Sequence, residues 1–152
     1  GTDAQKARYL PGLISGEQVG ALAMSEPGSG SDLASVRTKG VKVDGGWSIT
    51  GTKVWTSGAQ HAEAFIALCR TEPLDTTNRH AGLSQFIVDL RGEGVTVRPI
   101  VSLSGDHHFN EVILDDGYGN AGVVRSWRSA SWHCRSRAAA VPARASSSPS
   151  TV

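Results

Sequence analysis

The 152-residue chain is charged at 19% of its positions and carries a formal net charge of +1, which places it among globular domains of ordinary size, typically ~100–150 residues. No apolar stretch approaches the ~20 residues of a membrane span. Cys69 and Cys134 have neither metal-ligand spacing nor the numbers of a disulfide framework, so a reducing cytoplasmic setting is the expectation.

The chain opens with Gly1 and a polar stretch to Arg8 rather than a signal peptide, which suggests a product cut from a longer chain. Residues 4–13 bring Tyr9, Leu10 and Leu13 near helical spacing, and Gly12 and Gly16 end the pattern. A helical end and a loop are predicted. Residues 19–24 form a short apolar run that stops at Ser25-Glu26-Pro27-Gly28-Ser29-Gly30-Ser31-Asp32. Pro27, Gly28 and Gly30 cannot continue regular structure, so a buried strand ends there in a turn. The glycines admit close approach of a ligand, and Ser25, Ser29 and Ser31 add hydroxyl donors. No lysine or arginine lies in the loop. A phosphate held by N–H groups alone and a neutral or weakly anionic heterocycle both suit it.

Two glycine-rich signatures fail. A dinucleotide fingerprint needs a third glycine where this loop has Leu33, and a phosphate-cradling loop needs Gly-Lys-Ser/Thr where this one has Gly30-Ser31-Asp32.

From residue 36 the period becomes that of strands. Residues 36–43, the turn Asp44-Gly45-Gly46 and the following strand form a predicted hairpin, with Trp47, Ile49 and Trp55 on one face and Ser48, Thr50 and Val54 on the other. The alternation slips at Gly40, where a bulge is expected. The run 64–69 is expected to be a strand buried on both faces, making Cys69 a core thiol. Further strands are predicted at 83–90, 95–100 and 108–115. The fold class is therefore mainly β, an antiparallel β-barrel or sandwich-like domain with a short helical stub ahead of it. Asp106, His107, His108 and Glu111 do not make a metal site, because adjacent residues on a strand point to opposite faces. His61 and His80 have no nucleophile to serve, and a hydrolase is set aside.

A second element, Lys53-Val54-Trp55-Thr56-Ser57-Gly58, stands downstream of the first. Together with the stretch 23–35 it resembles the acyl-CoA dehydrogenase family, whose first signature and Lys-x-Trp element occur at this separation. The resemblance implies that 1–17 is the end of an N-terminal helical domain and 18–116 the flavin-binding middle β-domain. It implies FAD as cofactor, contacts to the isoalloxazine from Leu22, Met24, Ser25, Gly30, Ser31, Trp55 and Ser57 with Thr56 between the last two, and Ser31 also at the acyl-CoA. The family often has Thr where this chain has Ser25 and Ser57, and serine keeps the hydroxyl. Glu26 and Glu111 have structural places in the pattern. The reaction implied is α-proton abstraction and hydride transfer from the β-carbon to flavin, giving the 2-enoyl-CoA. Electron-transfer flavoprotein is the implied partner of a full-length homo-oligomeric enzyme, without nucleic acid or membrane. The general base belongs to a C-terminal helical domain, and no residue here matches it. An acyl-CoA oxidase and a non-catalytic remnant are the alternatives.

The resemblance stops at Asp116. Residues 1–116 carry 10 Lys or Arg against 14 Asp or Glu, a net of −4, whereas 117–152 add five arginines and no acid. A basic tail and a shifted reading frame are both readings of this asymmetry. Trp127, Trp132 and Cys134 without periodicity favour the second, and 117–152 is expected to be an irregular, disordered tail.

Overall fold

The structure, a computed structural model, describes residues 2–44 and 46–115 and the backbone of Trp127–Arg128. Helix α1 (Asp3–Ser15) starts at a capping box, in which the Thr2 side chain accepts from the Gln5 N–H and the Gln5 side chain reaches back to Thr2. It ends at Gly16, whose φ of 78° is the left-handed conformation that glycine adopts without a steric cost. None of its residues is buried, and Leu10, Leu13 and Ile14 are exposed.

The strands are β1 (Gly20–Ala23), β2 (Lys39–Val43), β3 (Gly46–Ser57), β4 (Ala64–Arg70), β5 (Leu83–Asp89), β6 (Val95–Val101), β7 (His107–Leu114) and β8 (Trp127–Arg128). They hydrogen-bond in the order β6-β7-β3-β2-β4-β5-β8, with β1 added on β4. The mainly-β expectation holds, but among the described residues the barrel does not close, and the sheet is mixed. β1 runs parallel to β4, as does β2 through Lys39 and Arg70. The β2–β3 hairpin lies between β1 and β4 in the chain, and this excursion lets β4 return in the direction of β1.

One core fills the space between the two halves of the sheet. Phe65, Ala67 and Cys69 of β4, Phe86 and Val88 of β5, Ile49 of β3, and Val112 and Leu114 of β7 meet there, with Trp47 packed edge-on to Phe86 at 5.3 Å. β4 buries one face only: Ile66 is 36% exposed, because the alternation of a strand turns it away from Phe65 and Ala67.

The hairpin corrects three other expectations. Residues 36–38 leave the strand, since the N–H groups of Arg37 and Thr38 donate to the Glu26 carboxylate instead of to a neighbouring strand. No bulge forms at Gly40, where the register to Ile49 is unbroken. Gly40 is simply the small residue that Phe86 requires, for a Cβ there would sit 3.0 Å from the ring. The irregularity falls instead between Lys53 and Thr56, where β3 shifts register against β7. Up to Lys53 the odd-numbered residues point inward; after the shift Thr56 does, and Trp55 leaves the face it was expected to share with Trp47 and Ile49.

In the expected irregular tail, Trp127 and Arg128 pair with Gln85 and Ser84 at the edge of β5. The remainder of the region 117–152 lies outside the described residues, as does Cys134.

Candidate functional site

Strand β1 delivers the chain to a tight turn in which Glu26 N–H donates to the Ser29 carbonyl (2.8 Å) and Ser29 N–H to the Glu26 carbonyl (3.0 Å). The Ser29 hydroxyl is buried and spent on the Asp32 carbonyl at 2.6 Å. The serine expected to offer a donor therefore holds the loop, while Gly30 and Ser31 beyond it are exposed. Asp32 fastens the loop's far end to Arg79 at 2.6 Å and to the Ser35 hydroxyl at 2.6 Å.

The second element arrives alongside the first. Val54 N–H donates to the Ser25 carbonyl at 2.9 Å, which sets the end of β1 directly against the bulge of β3. At that bulge Trp55 has a φ of 61° and an exposure of 59%. A bulky side chain rarely adopts the left-handed region, and such a residue costs roughly 1–3 kcal/mol unless its surroundings enforce it. The indole stands open, with the Phe109 ring edge-on at 5.9 Å. Ser57 is exposed, Met24 and Ser25 half-buried, and Leu22 60% exposed on the outer face of β1. Among the described residues no hydrogen bond engages the hydroxyls of Ser25, Ser31 or Ser57. Thr56 is fully buried, with its hydroxyl turned inward and unpaired, so it presents no side chain to this surface.

Three residues hold the site: Glu26, expected to be structural, and Lys53 and Asn110, which the sequence did not single out in that role. Lys53 is completely buried, and its ammonium donates to the Met24 carbonyl (3.1 Å), the Leu68 carbonyl (2.5 Å) and Glu26 Oε1 (2.9 Å). Glu26 accepts in addition from Arg37 N–H (2.7 Å) and Thr38 N–H (2.9 Å). Burial presses the Glu26 carboxyl upward in pKa, and the hydrogen bonds from Thr38, Arg37 and Lys53 outweigh it and hold the group below its ordinary value. Asn110, also completely buried, donates to the Thr56 carbonyl (3.1 Å) and Gln60 Oε1 (2.5 Å), and its Oδ1 meets His107 Nε2 at 2.8 Å. A lysine at an inward position of a strand, and an asparagine in phase with Val112 and Leu114 on a strand's inward side, are the sequence signals for such residues.

A family model described as acyl-CoA dehydrogenase, middle domain, matches residues 21–116. The chain belongs to the acyl-CoA dehydrogenase family. It is 47% identical over 116 residues to acyl-CoA dehydrogenase FadE34 of Mycobacterium tuberculosis, a match spanning 76% of this chain and 16% of that protein. To mitochondrial isovaleryl-CoA dehydrogenase of Arabidopsis thaliana it is 47% identical over 89 residues, 59% of this chain and 21% of the relative. Among solved structures, the Tcur3481-Tcur3483 steroid ACAD superposes with a TM-score of 0.73 at 37% identity, over 82% of this chain and 32% of that one. A glutaryl-CoA dehydrogenase of Mycobacterium smegmatis in complex with FADH2 follows at a TM-score of 0.70 and 26% identity, over 82% and 31%. The chain thus spans about a sixth to a third of the length of these relatives. Among the described residues no helix is long and apolar enough to cross a membrane.

Proposed function

We propose that residues 18–116 are the flavin-binding middle domain of an enzyme that oxidises an acyl-CoA to the 2-enoyl-CoA. The supporting observation is Trp55: an exposed indole held at a φ of 61° beside the strand end that carries Ser25. A structural tryptophan would be enclosed by apolar neighbours and would not need a strained backbone. An open indole fits an isoalloxazine, which has a flat apolar body and a polar edge. The unengaged hydroxyls fit the same group, because flavin is tuned by donors around its ring nitrogens.

FAD, when bound, supplies the hydride acceptor. Ser25 and Ser57 would donate to the ring edge, Trp55 would offer it a face, and Leu22, Met24 and Gly30 would shape the surface around it. Ser31, exposed past the turn, would be available to both the flavin and the acyl-CoA. The body's net −4 does not favour nucleic acid as a partner. The base that takes the α-proton is supplied from outside residues 18–116, so the 152-residue chain alone is expected to lack dehydrogenase turnover. The full-length enzyme works as an oligomer and passes electrons to electron-transfer flavoprotein; the structural relatives include one titled as a ChsE4-ChsE5 complex.

Titration of the chain with FAD, followed by the flavin's visible absorption, tests the reading. Weak saturable binding, lowered about tenfold by Trp55→Ala, is expected for the loss of one aromatic face. Binding that Trp55→Ala leaves unchanged overturns the site.

A further inference from the structure

Neither member of the buried Lys53–Glu26 pair is itself among the residues assigned to the flavin, yet its hydrogen bonds bracket Ser25. Lys53 Nζ holds the carbonyl of Met24 on one side of Ser25 and the carboxylate of Glu26 on the other, while the neighbouring Val54 N–H holds the carbonyl of Ser25 itself. Three consecutive residues of the loop are thus tied to two consecutive residues of β3. The third acceptor of Lys53, the Leu68 carbonyl, anchors the assembly to β4, and the Glu26 carboxylate anchors it to Arg37 N–H through Oε2 and to Thr38 N–H through Oε1. Lys53 is also the last residue before the register shift that turns Trp55 outward.

We infer that Lys53 and Glu26 are positioning residues, which set the Ser25 loop and the Trp55 bulge at one fixed separation for the flavin edge. The functional half of this inference rests on the flavin reading above. Stability alone does not call for this arrangement, since a buried ion pair is often matched or bettered by apolar residues of similar volume. An ammonium with acceptors from three segments gives instead a defined geometry, because each bond has a narrow range of distance and direction.

The test is the Lys53→Met/Glu26→Gln double variant, which removes both charges and keeps one acceptor oxygen, for the Arg37 or the Thr38 N–H. Glu26→Asp, which keeps both charges and shortens the carboxylate's reach, is the second variant in case the double one does not fold. Amide hydrogen exchange is read at Val54 and, as a reference away from the pair, at Leu90, whose N–H donates to the Glu63 carbonyl. Local loosening is expected: Val54 exchanges about tenfold faster while Leu90 keeps its protection. The visible absorption of added FAD should show affinity falling by about the same factor. Unchanged exchange at Val54, or equal acceleration at Leu90, overturns the positioning role. Failure of the wild-type chain to bind FAD removes the flavin reading, and the exchange pattern still decides whether the pair positions the loop.

Discussion

Lys53 Nζ lies 2.9 Å from Glu26 Oε1, with the two side chains 0% and 7% exposed. Removing one member strands the other. Lys53→Met leaves the Glu26 carboxylate enclosed without its cation, and a loss of ~3–5 kcal/mol is expected by denaturant unfolding.

The same pair predicts the acid limit of the fold. Glu26 titrates below its ordinary value of 4.5 in the folded chain. Its contribution to stability is therefore complete above the unfolded value and is lost as pH falls through the lower folded value. Unfolding midpoints should be level down to about pH 5 and decline below about 4.5. Asp32 and Asp75 are also held low, by hydrogen bonds from Ser35 and Arg79 and from Thr77, but both are exposed and screened. In Glu26→Gln the acid decline should flatten; an unaltered decline would assign it to other carboxylates.

Gly51 approaches the backbone of Thr38 so closely that an added Cβ would lie 2.7 Å from the Thr38 Cα. The obstacle is backbone, which cannot swing aside as a side-chain end can. Gly51→Ala is expected to destabilise by roughly 1–3 kcal/mol, whereas Gly28→Ala, with open space around it, should stay within about 0.5 kcal/mol. Equal midpoints for the two variants would contradict the packing.

Trp55→Gly separates folding from binding. Glycine adopts the φ of 61° freely. The strain relieved, roughly 1 kcal/mol or more, offsets the loss of the edge contact to Phe109, worth ~0.5–1.5 kcal/mol. Thermal unfolding should thus be close to wild type while FAD binding falls about tenfold. A large drop in stability would show the indole to be a packing residue.

Cys69 is enclosed in the core, and burial raises its thiol pKa to about 12 against a smaller downward pull from Lys53. The thiolate is the reactive form. In a Cys134→Ser background, a thiol-specific chromogenic disulfide should react with Cys69 only as fast as the domain unfolds, and addition of denaturant should release the full equivalent.

Most strands could be read from residue order because their information is local. Alternation placed β5, β6 and β7 within a residue or two of their observed bounds, and glycines marked the turns between them. The two site stretches were legible for the same reason, as an apolar run broken by Pro27 and Gly28 and as a Lys-x-Trp element near a strand end. Long-range relations were not. Parallel pairing of β1 with β4 depends on where the hairpin returns the chain, and the missing bulge at Gly40 depends on Phe86 lying across the sheet. Strict alternation put Trp55 on one face with Trp47 and Ile49, because period two counts residues and cannot see an extra one inserted. The register shift after Lys53 reversed that assignment and turned the indole out. Residue type alone would also send Lys53 to solvent; only the fold brings the Met24 and Leu68 carbonyls and the Glu26 carboxylate within reach of its ammonium, and three hydrogen bonds with an opposite charge are what make its burial affordable.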